Sequence, residues 1–447
     1  MLMPNPLWTL PFAALLLAIA ILPLLPHTSR WWERNSSKLL VGVSLGAIVL
    51  AYYAMRGYGF QNSEAGVPTL LSVLKHALLR DYVPFLVLLF SLYTISGGIQ
   101  IRGDLVARPA VNTAMLAIGA TLASLIGTTG ASMVLIRPLL NSNRQRKHVQ
   151  HTVVFFIFLV SNIGGALLPI GDPPLFLGYL EGVPFLWTLR LAGPWAVCVV
   201  ILLAVYYAWE RRAYATETAA SREADRTRTS SLRLHGGLNI AWLLGIVVTI
   251  ALFKPGEAWL GTGWILPDLA REAVMLILTG LSLRLTPQGL RKEVAFSYAA
   301  IIEVACLFLG IFLTMQVPLE ILQARGASLG LKSPTQFFWA SGFMSSVLDN
   351  APTYLVFFET AKTLPTTTGM PALALKHGAI ATDLLAAISM GSVFMGALTY
   401  IGNGPNFMVK SIAERHGVAM PSFFGYMVYS GAVLLPLFLL VSGIFFR

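Results

Sequence analysis

The sequence predicts an all-α integral membrane protein of about ten transmembrane helices, with two re-entrant hairpins and two broken helices in an inverted-topology repeat. Three observations lead there. Of 447 residues, 56% are hydrophobic and 11% charged, against roughly 25% charged in a soluble domain. The apolar residues fall in runs of about 18–25, which suit membrane helices rather than the alternating strands of a barrel. Finally, the stretch Gly165-Ala166-Leu167-Leu168-Pro169-Ile170-Gly171-Asp172-Pro173-Pro174-Leu175-Phe176 recurs as Gly396-Ala397-Leu398-Thr399-Tyr400-Ile401-Gly402-Asn403-Gly404-Pro405-Asn406-Phe407.

Taken in chain order, apolar runs place spans at 7–26, 39–57, 82–101, 150–180, 190–208, 238–254, 270–285, 296–316, 376–412 and 422–446. The runs 150–180 and 376–412 exceed a simple span and hold the duplicated Gly/Pro cluster, so they read as broken helices. Two further apolar stretches, 110–140 and 334–363, carry small and polar residues at their midpoints: Gly127-Thr128-Thr129-Gly130-Ala131-Ser132 and Ser345-Ser346-Val347-Leu348-Asp349-Asn350-Ala351-Pro352-Thr353. A straight helix would leave those breaks in lipid, whereas a re-entrant hairpin puts them at a tip inside protein. Each half then reads helix, hairpin, broken helix, helix, with residues 1–209 as the first repeat, 210–237 as a linker and 238–447 as the second. About five crossings separate the two clusters, so the halves face opposite ways. A matched pair of broken helices marks the binding site of a secondary transporter.

Charge supports the count. A net charge of +11 would suggest nucleic acid in a soluble protein, but here it fits the Lys/Arg excess of cytoplasmic loops, so no nucleic-acid partner is expected. Odd-numbered loops hold about 20 Lys/Arg and even ones about 11, which predicts cytoplasmic odd loops and both termini outside. The richest clusters are Arg137, Arg144, Arg146 and Lys147, then Arg211, Arg212, Arg222, Arg226, Arg228 and Arg233 in the linker. The linker reads as an inter-repeat loop with an exposed basic face; a lipid-headgroup role is the alternative. No basic residue precedes the first apolar run, which argues against a cleaved signal peptide. Cys198 and Cys306 both lie in apolar spans, so neither a disulfide nor a metal cluster is expected.

Ionisable groups at membrane depth are costly and are functional candidates by default. Asp349 leads, at a predicted hairpin tip beside Asn350, where carboxylate, amide and free carbonyl oxygens offer the hard ligands that sodium or a proton needs. Asp349 also suits capping of a half-helix, and so does Asp172, which precedes Pro173 and Pro174. The counterpart of Asp172 in the second copy is Asn403, which keeps the oxygen and drops the charge. Ser161, Asn162, Thr399, Asn403 and Asn406 add polar oxygens near the breaks, with helix–helix hydrogen bonding as the plainer reading. Thr128, Thr129 and Ser132 occupy the first tip and Thr353 the second, where hydroxyls serve either a cation or packing. Glu303, among Ile301, Ile302 and Val304, is a proton-carrying candidate beside Asp349 and Asp172, or else a carboxyl satisfied by neighbours. Sodium-site candidates are Asp349, Asn350 and Asp172. Glu359, Asp383, Lys410 and most of the seven His residues are expected in solvent. An enzyme reading finds no P-loop lysine, H-E-x-x-H motif or nucleophile elbow.

Ser161-Asn162-Ile163-Gly164-Gly165, followed by Ile170-Gly171-Asp172-Pro173-Pro174, resembles the broken-helix signature of the ion transporter superfamily. Val347-Leu348-Asp349-Asn350-Ala351-Pro352 resembles its hairpin signature. The superfamily includes NhaD-type sodium/proton antiporters, arsenite permeases, the melanosomal P protein and the citrate and dicarboxylate symporters; a bacterial group of citrate transporters and sodium:proton antiporters is similar to this chain. The resemblance implies a homodimer in the bacterial inner membrane, in contact with lipid. Two departures stand out. Antiporter relatives carry an Asp-Asn pair in the first hairpin too, where this chain has Thr128-Thr129-Gly130-Ala131-Ser132. Dicarboxylate symporters use Ser-Asn-Thr at both tips, where the second tip here is Asp349-Asn350-Ala351.

The acidic pair Asp172 and Asp349, with no Arg or Lys at either break, puts a sodium/proton antiporter first: a small cation as partner, sodium and proton as coupling ions, no organic cofactor, and alternating access about a midplane site. A sodium- or proton-coupled citrate or dicarboxylate symporter stands second, because half-helix N-termini also hold carboxylates.

Overall fold

Helices account for most of the chain in this computed structural model, which describes residues 3–60, 63–227, 229–254, 259, 262–293, 296–365 and 371–447. Arg228 lies outside the described residues. Among the described residues, five helices are long and apolar enough to cross a membrane: Asn35–Met55, Val67–Ser96, Pro109–Ile126, Trp187–Ala215 and Phe423–Phe445. A sixth candidate, Ala299–Thr314 with Gln316–Leu329, bends by 45°. Shorter apolar helices occupy Pro6–Ile21, Gln150–Ala166, Leu238–Leu252 and Thr382–Leu398. The chain is a multi-pass membrane protein.

Most predicted spans coincide with a helix, and the differences have physical causes. The helix expected from residue 82 begins at Val67 and contains a π segment, His76–Tyr82; Lys75, His76, Arg80 and Asp81 disguise that first half as a loop. Residues 100–104 leave the helix and pair antiparallel with Ser230–His235 of the linker. The linker is therefore docked rather than loose. Asp225 accepts the Ala107 N–H at 3.0 Å, and Glu217 accepts those of Lys147 and His148 at 3.0 and 2.9 Å. A second two-stranded ribbon, Ala372–Ala374 with Ala379–Ala381, precedes the second broken helix.

The outer helices cross where side chains vanish. Asn35–Met55 packs on Ala299–Thr314, and a Cβ on Gly310 would lie 2.5 Å from the Gly42 Cα. Small residues four apart, Gly42 and Gly46, let two backbones touch in lipid, where no hydrophobic drive brings helices together.

Four interrupted segments form the interior. The first hairpin joins Pro109–Ile126 to Thr128–Ser142 through Gly127, whose φ of 80° suits glycine alone. The second joins Pro334–Val347 to Asn350–Lys362. The first broken helix runs Gln150–Leu159, a turn at Ile163–Ala166, then Pro173–Leu180. The second runs Thr382–Met395, a turn at Gly396–Leu398, then Gly404–Arg415. The duplicated motif makes the same local structure twice: a Cβ on Gly171 would fall 2.1 Å from the Gly165 carbonyl oxygen, and one on Gly402 would fall 2.6 Å from that of Gly396. The second arm of each hairpin packs on the broken helix of the other half, Thr128–Ser142 on Gly404–Arg415 and Asn350–Lys362 on Pro173–Leu180.

Candidate functional site

Pro173 starts a helix because its missing N–H costs nothing at a helix's first position. Asp172 before it is extended (φ −145°, ψ 144°) and its side chain makes no capping bond. Asn403 before Gly404 has the same backbone (φ −154°, ψ 138°) and is also uncapped. Released from their own helices, both side chains reach across the molecule. Thr128 Oγ1 donates to Asp172 Oδ1 at 3.0 Å and Asn403 Nδ2 donates to the same oxygen at 3.1 Å. Asn350 Nδ2 donates to Oδ2 at 2.7 Å. One buried carboxylate thus ties together both hairpin tips and both breaks, through neutral partners alone among the described residues.

A second layer holds this junction. Asn162 Nδ2 donates to Asn406 Oδ1 at 2.7 Å, while Asn403 Nδ2 also reaches Ser161 O at 3.1 Å and Asn162 Oδ1 at 3.3 Å. Asn406 Nδ2 donates to the carbonyls of Gly396 and Thr399, both at 2.9 Å. The Ser132 and Ser161 hydroxyls lie 2.9 Å apart. Thr399 Oγ1 donates to Ser346 O at 2.6 Å and accepts the Gly402 N–H at 3.1 Å, pinning the second break to the second hairpin. Thr129 is half-buried at the first tip beside Thr128.

Asp349 sits differently. It caps the helix that follows, accepting the Ala351 N–H at 3.1 Å, and its carbonyl accepts from Thr353 Oγ1 at 3.0 Å. Half-buried, it stands one residue from the Asn350 that holds Asp172. Aligned by helix start, Asp349 matches Gly127 and Asn350 matches Thr128, so the two tips differ by one carboxylate. Glu303 is not part of the assembly: it is exposed on the outer helix Ala299–Thr314 and pairs with the buried Lys38.

Two features give the junction chemical capacity. Asn350 Oδ1 is buried with no hydrogen-bond partner, a state costing about 1–3 kcal/mol unless a ligand or water fills it. In addition, four helices begin here, at Thr128, Pro173, Asn350 and Gly404. Each N-terminus carries roughly half a positive charge, which stabilises an anion without any Lys or Arg.

The four helices end at two separate cavities. Thr128–Ser142 and Gly404–Arg415 run to one of about 1440 Å³, lined by Asn141, Arg144, Arg415 and His416 among others. Pro173–Leu180 and Asn350–Lys362 run to another of about 1040 Å³, lined by Asp81, Glu181, Glu272, Glu359 and Lys362. The sequence reading missed these walls. Glu359, expected in solvent, is buried and bonds Lys362 at 2.8 Å. His151, also expected outside, is buried against Glu210 at 2.6 Å. Each lies close to a predicted helix end, where sequence suggests exposure, and only tertiary packing covers it. Cys198 and Cys306 are free.

No curated protein matches the chain. A family model described as "Putative citrate transport" matches residues 3–446, and by that match the chain belongs to this family of transporters.

Proposed function

We propose that this protein is a secondary active transporter that moves a citrate-class carboxylate together with a sodium ion or proton, with the Asp172 junction as its midplane site. The observation that carries the reading is the convergence of four helix N-termini on one buried carboxylate tied to both hairpins and both breaks. N-termini supply positive potential for a carboxylate substrate, Asp172 and Asp349 supply the charge that a coupling cation answers, and Asn350 Oδ1 offers a free ligand oxygen. Membership of the citrate-transport family moves this reading ahead of the antiporter that the acidic pair alone suggests. The matching Gly165–Gly171 and Gly396–Gly402 turns and the reciprocal packing of hairpins on broken helices support two inverted repeats. The two cavities, each at the end of one helix pair, support alternating access. The Pro109–Ile126 arm is long enough to span by itself; its one-residue turn back into Thr128–Ser142 supports the re-entrant arrangement.

Sodium/proton antiport is retained as a second reading on one observation: among the described residues every hydrogen-bond partner of Asp172 is neutral, with no Lys or Arg side chain there to receive a second carboxylate. Purified protein in liposomes separates the two. Labelled citrate uptake that rises with an inward sodium or proton gradient supports the proposal. Sodium-driven pH change without citrate flux replaces it with antiport, and neither flux removes both.

A further inference from the structure

The cavity of about 1440 Å³ has a strongly basic wall. Arg144, Arg146, Lys147, Arg212 and Arg415 line it, with His148, His151 and His416, and among the described residues no Asp or Glu does. Among the described residues, Arg144, Lys147, Arg212 and Arg415 have no carboxylate within ion-pair distance, whereas Arg146 is buried and paired. Behind the wall, Glu210 is held by Arg146, by His151 at 2.6 Å and by Asn112 Nδ2 at 2.9 Å. Glu217 lies 3.7 Å from Arg146 Nε. These two carboxylates fix the base of the wall and leave its exposed cations unanswered. The Nε of Arg146 is itself buried without a hydrogen bond.

A Lys/Arg excess on one face follows from membrane topology, but topology alone does not ask for a concave wall of unpaired cations. The rest of the lining mixes polar Asn141, Asn143, Gln150 and Thr216 with apolar and aromatic side chains. Val205, Ala208, Trp209 and Arg212 lie on one face of the helix Ala192–Ala215, with Trp209 stacked on His151 and on Tyr429. Guanidinium groups beside an apolar and aromatic helix face match a ligand with a phosphate head and an apolar body.

We propose that this cavity binds a phosphate-class polyanion, with Arg144, Lys147, Arg212 and Arg415 meeting the phosphate oxygens and the Val205–Trp209 stripe lying along any acyl chain. The source is the headgroup of an acidic lipid or a free phosphate compound. The cavity is also one of the two access routes of the proposed transport cycle, but the two probes, cardiolipin and pyrophosphate, lack a carboxylate, so this site and the transport reading fail separately.

The test uses the full-length protein. Binding is measured to nanodiscs of phosphatidylcholine with and without cardiolipin, and separately to inorganic pyrophosphate by calorimetry in neutral detergent. The variant Arg144→Ala/Lys147→Ala/Arg212→Ala/Arg415→Ala changes only exposed side chains, and a control, Arg30→Ala/Arg34→Ala/Arg325→Ala/Lys332→Ala, removes equal charge elsewhere. Arg212→Ala and Arg415→Ala are also tested singly, so that an unfolded quadruple variant still leaves an answer. The site predicts at least tenfold weaker binding of one probe for the quadruple variant, a smaller loss for each single variant and no loss for the control. Loss with cardiolipin alone assigns a lipid headgroup; loss with pyrophosphate assigns a soluble anion. Equal binding of the cavity variants and the control, for both probes, overturns the site.

Discussion

Asp172 and Asp349 occupy equivalent-looking positions before a helix, yet their side chains do opposite things. Asp349 spends an oxygen on its own helix, so Asn in its place still caps. The variant Asp349→Asn should therefore unfold within about 1 kcal/mol of wild type while losing cation-coupled uptake in liposomes; uptake at the wild-type rate would remove Asp349 from the transport cycle. Asp172 gives both oxygens to other segments, and each bond to a charged group is worth about 1.5–3 kcal/mol. Thr128→Val deletes one of them with little change in volume, and should shift the coupling-ion concentration for half-maximal uptake by roughly 10- to 100-fold. Titrating uptake against sodium or pH reads that shift directly. Both aspartates were legible in the sequence as membrane-depth carboxylates. Which of them caps was not, because capping depends on a side-chain rotamer that a neighbouring half-protein dictates.

At the scale of elements, the duplicated Gly/Pro motif is a duplicated backbone approach. Gly171→Ala or Gly402→Ala would thrust a Cβ to 2.1 or 2.6 Å from a carbonyl oxygen across the turn, and fixed backbone cannot yield as a flexible side chain does. Each should cost about 1–3 kcal/mol or more and depress transport, whereas Gly404→Ala, with open space around it, should match wild type in both. Thermal unfolding in detergent alongside uptake checks the set, and a tolerant Gly171→Ala would show that the turn is not closely held. The Glu210 cluster gives a second test. Glu210→Ala leaves buried Arg146 with only the longer Glu217 pair at 3.7 Å and should destabilise by about 3 kcal/mol, visible as a lowered denaturation midpoint. The sequence revealed both breaks because Gly, Pro and polar residues stand out against apolar runs. It concealed the Val67–Lys75 helix and the linker strand Ser230–His235, where charge imitates a solvated loop and only docking gives the segment structure.

Across the whole molecule, the four interrupted segments behave as two reciprocal pairs radiating from one carboxylate toward two cavities. In the proposed transport cycle one pair would move against the other about a fixed site, as alternating access requires. The breaks in all four interrupted segments were legible from sequence alone, because Gly, Pro and polar residues interrupt each apolar run. The cross-packing of hairpin on opposite broken helix was not, because no local signal encodes a partner more than a hundred residues away. The same limit hid the cavities, whose walls draw on both halves. A structure determined in the presence of sodium and citrate tests the site most directly. The account predicts new density within ligand distance of Asn350 Oδ1 and the Asp172 side chain. Density confined to the charged cavities, with the Asp172 junction unaltered, would contradict it.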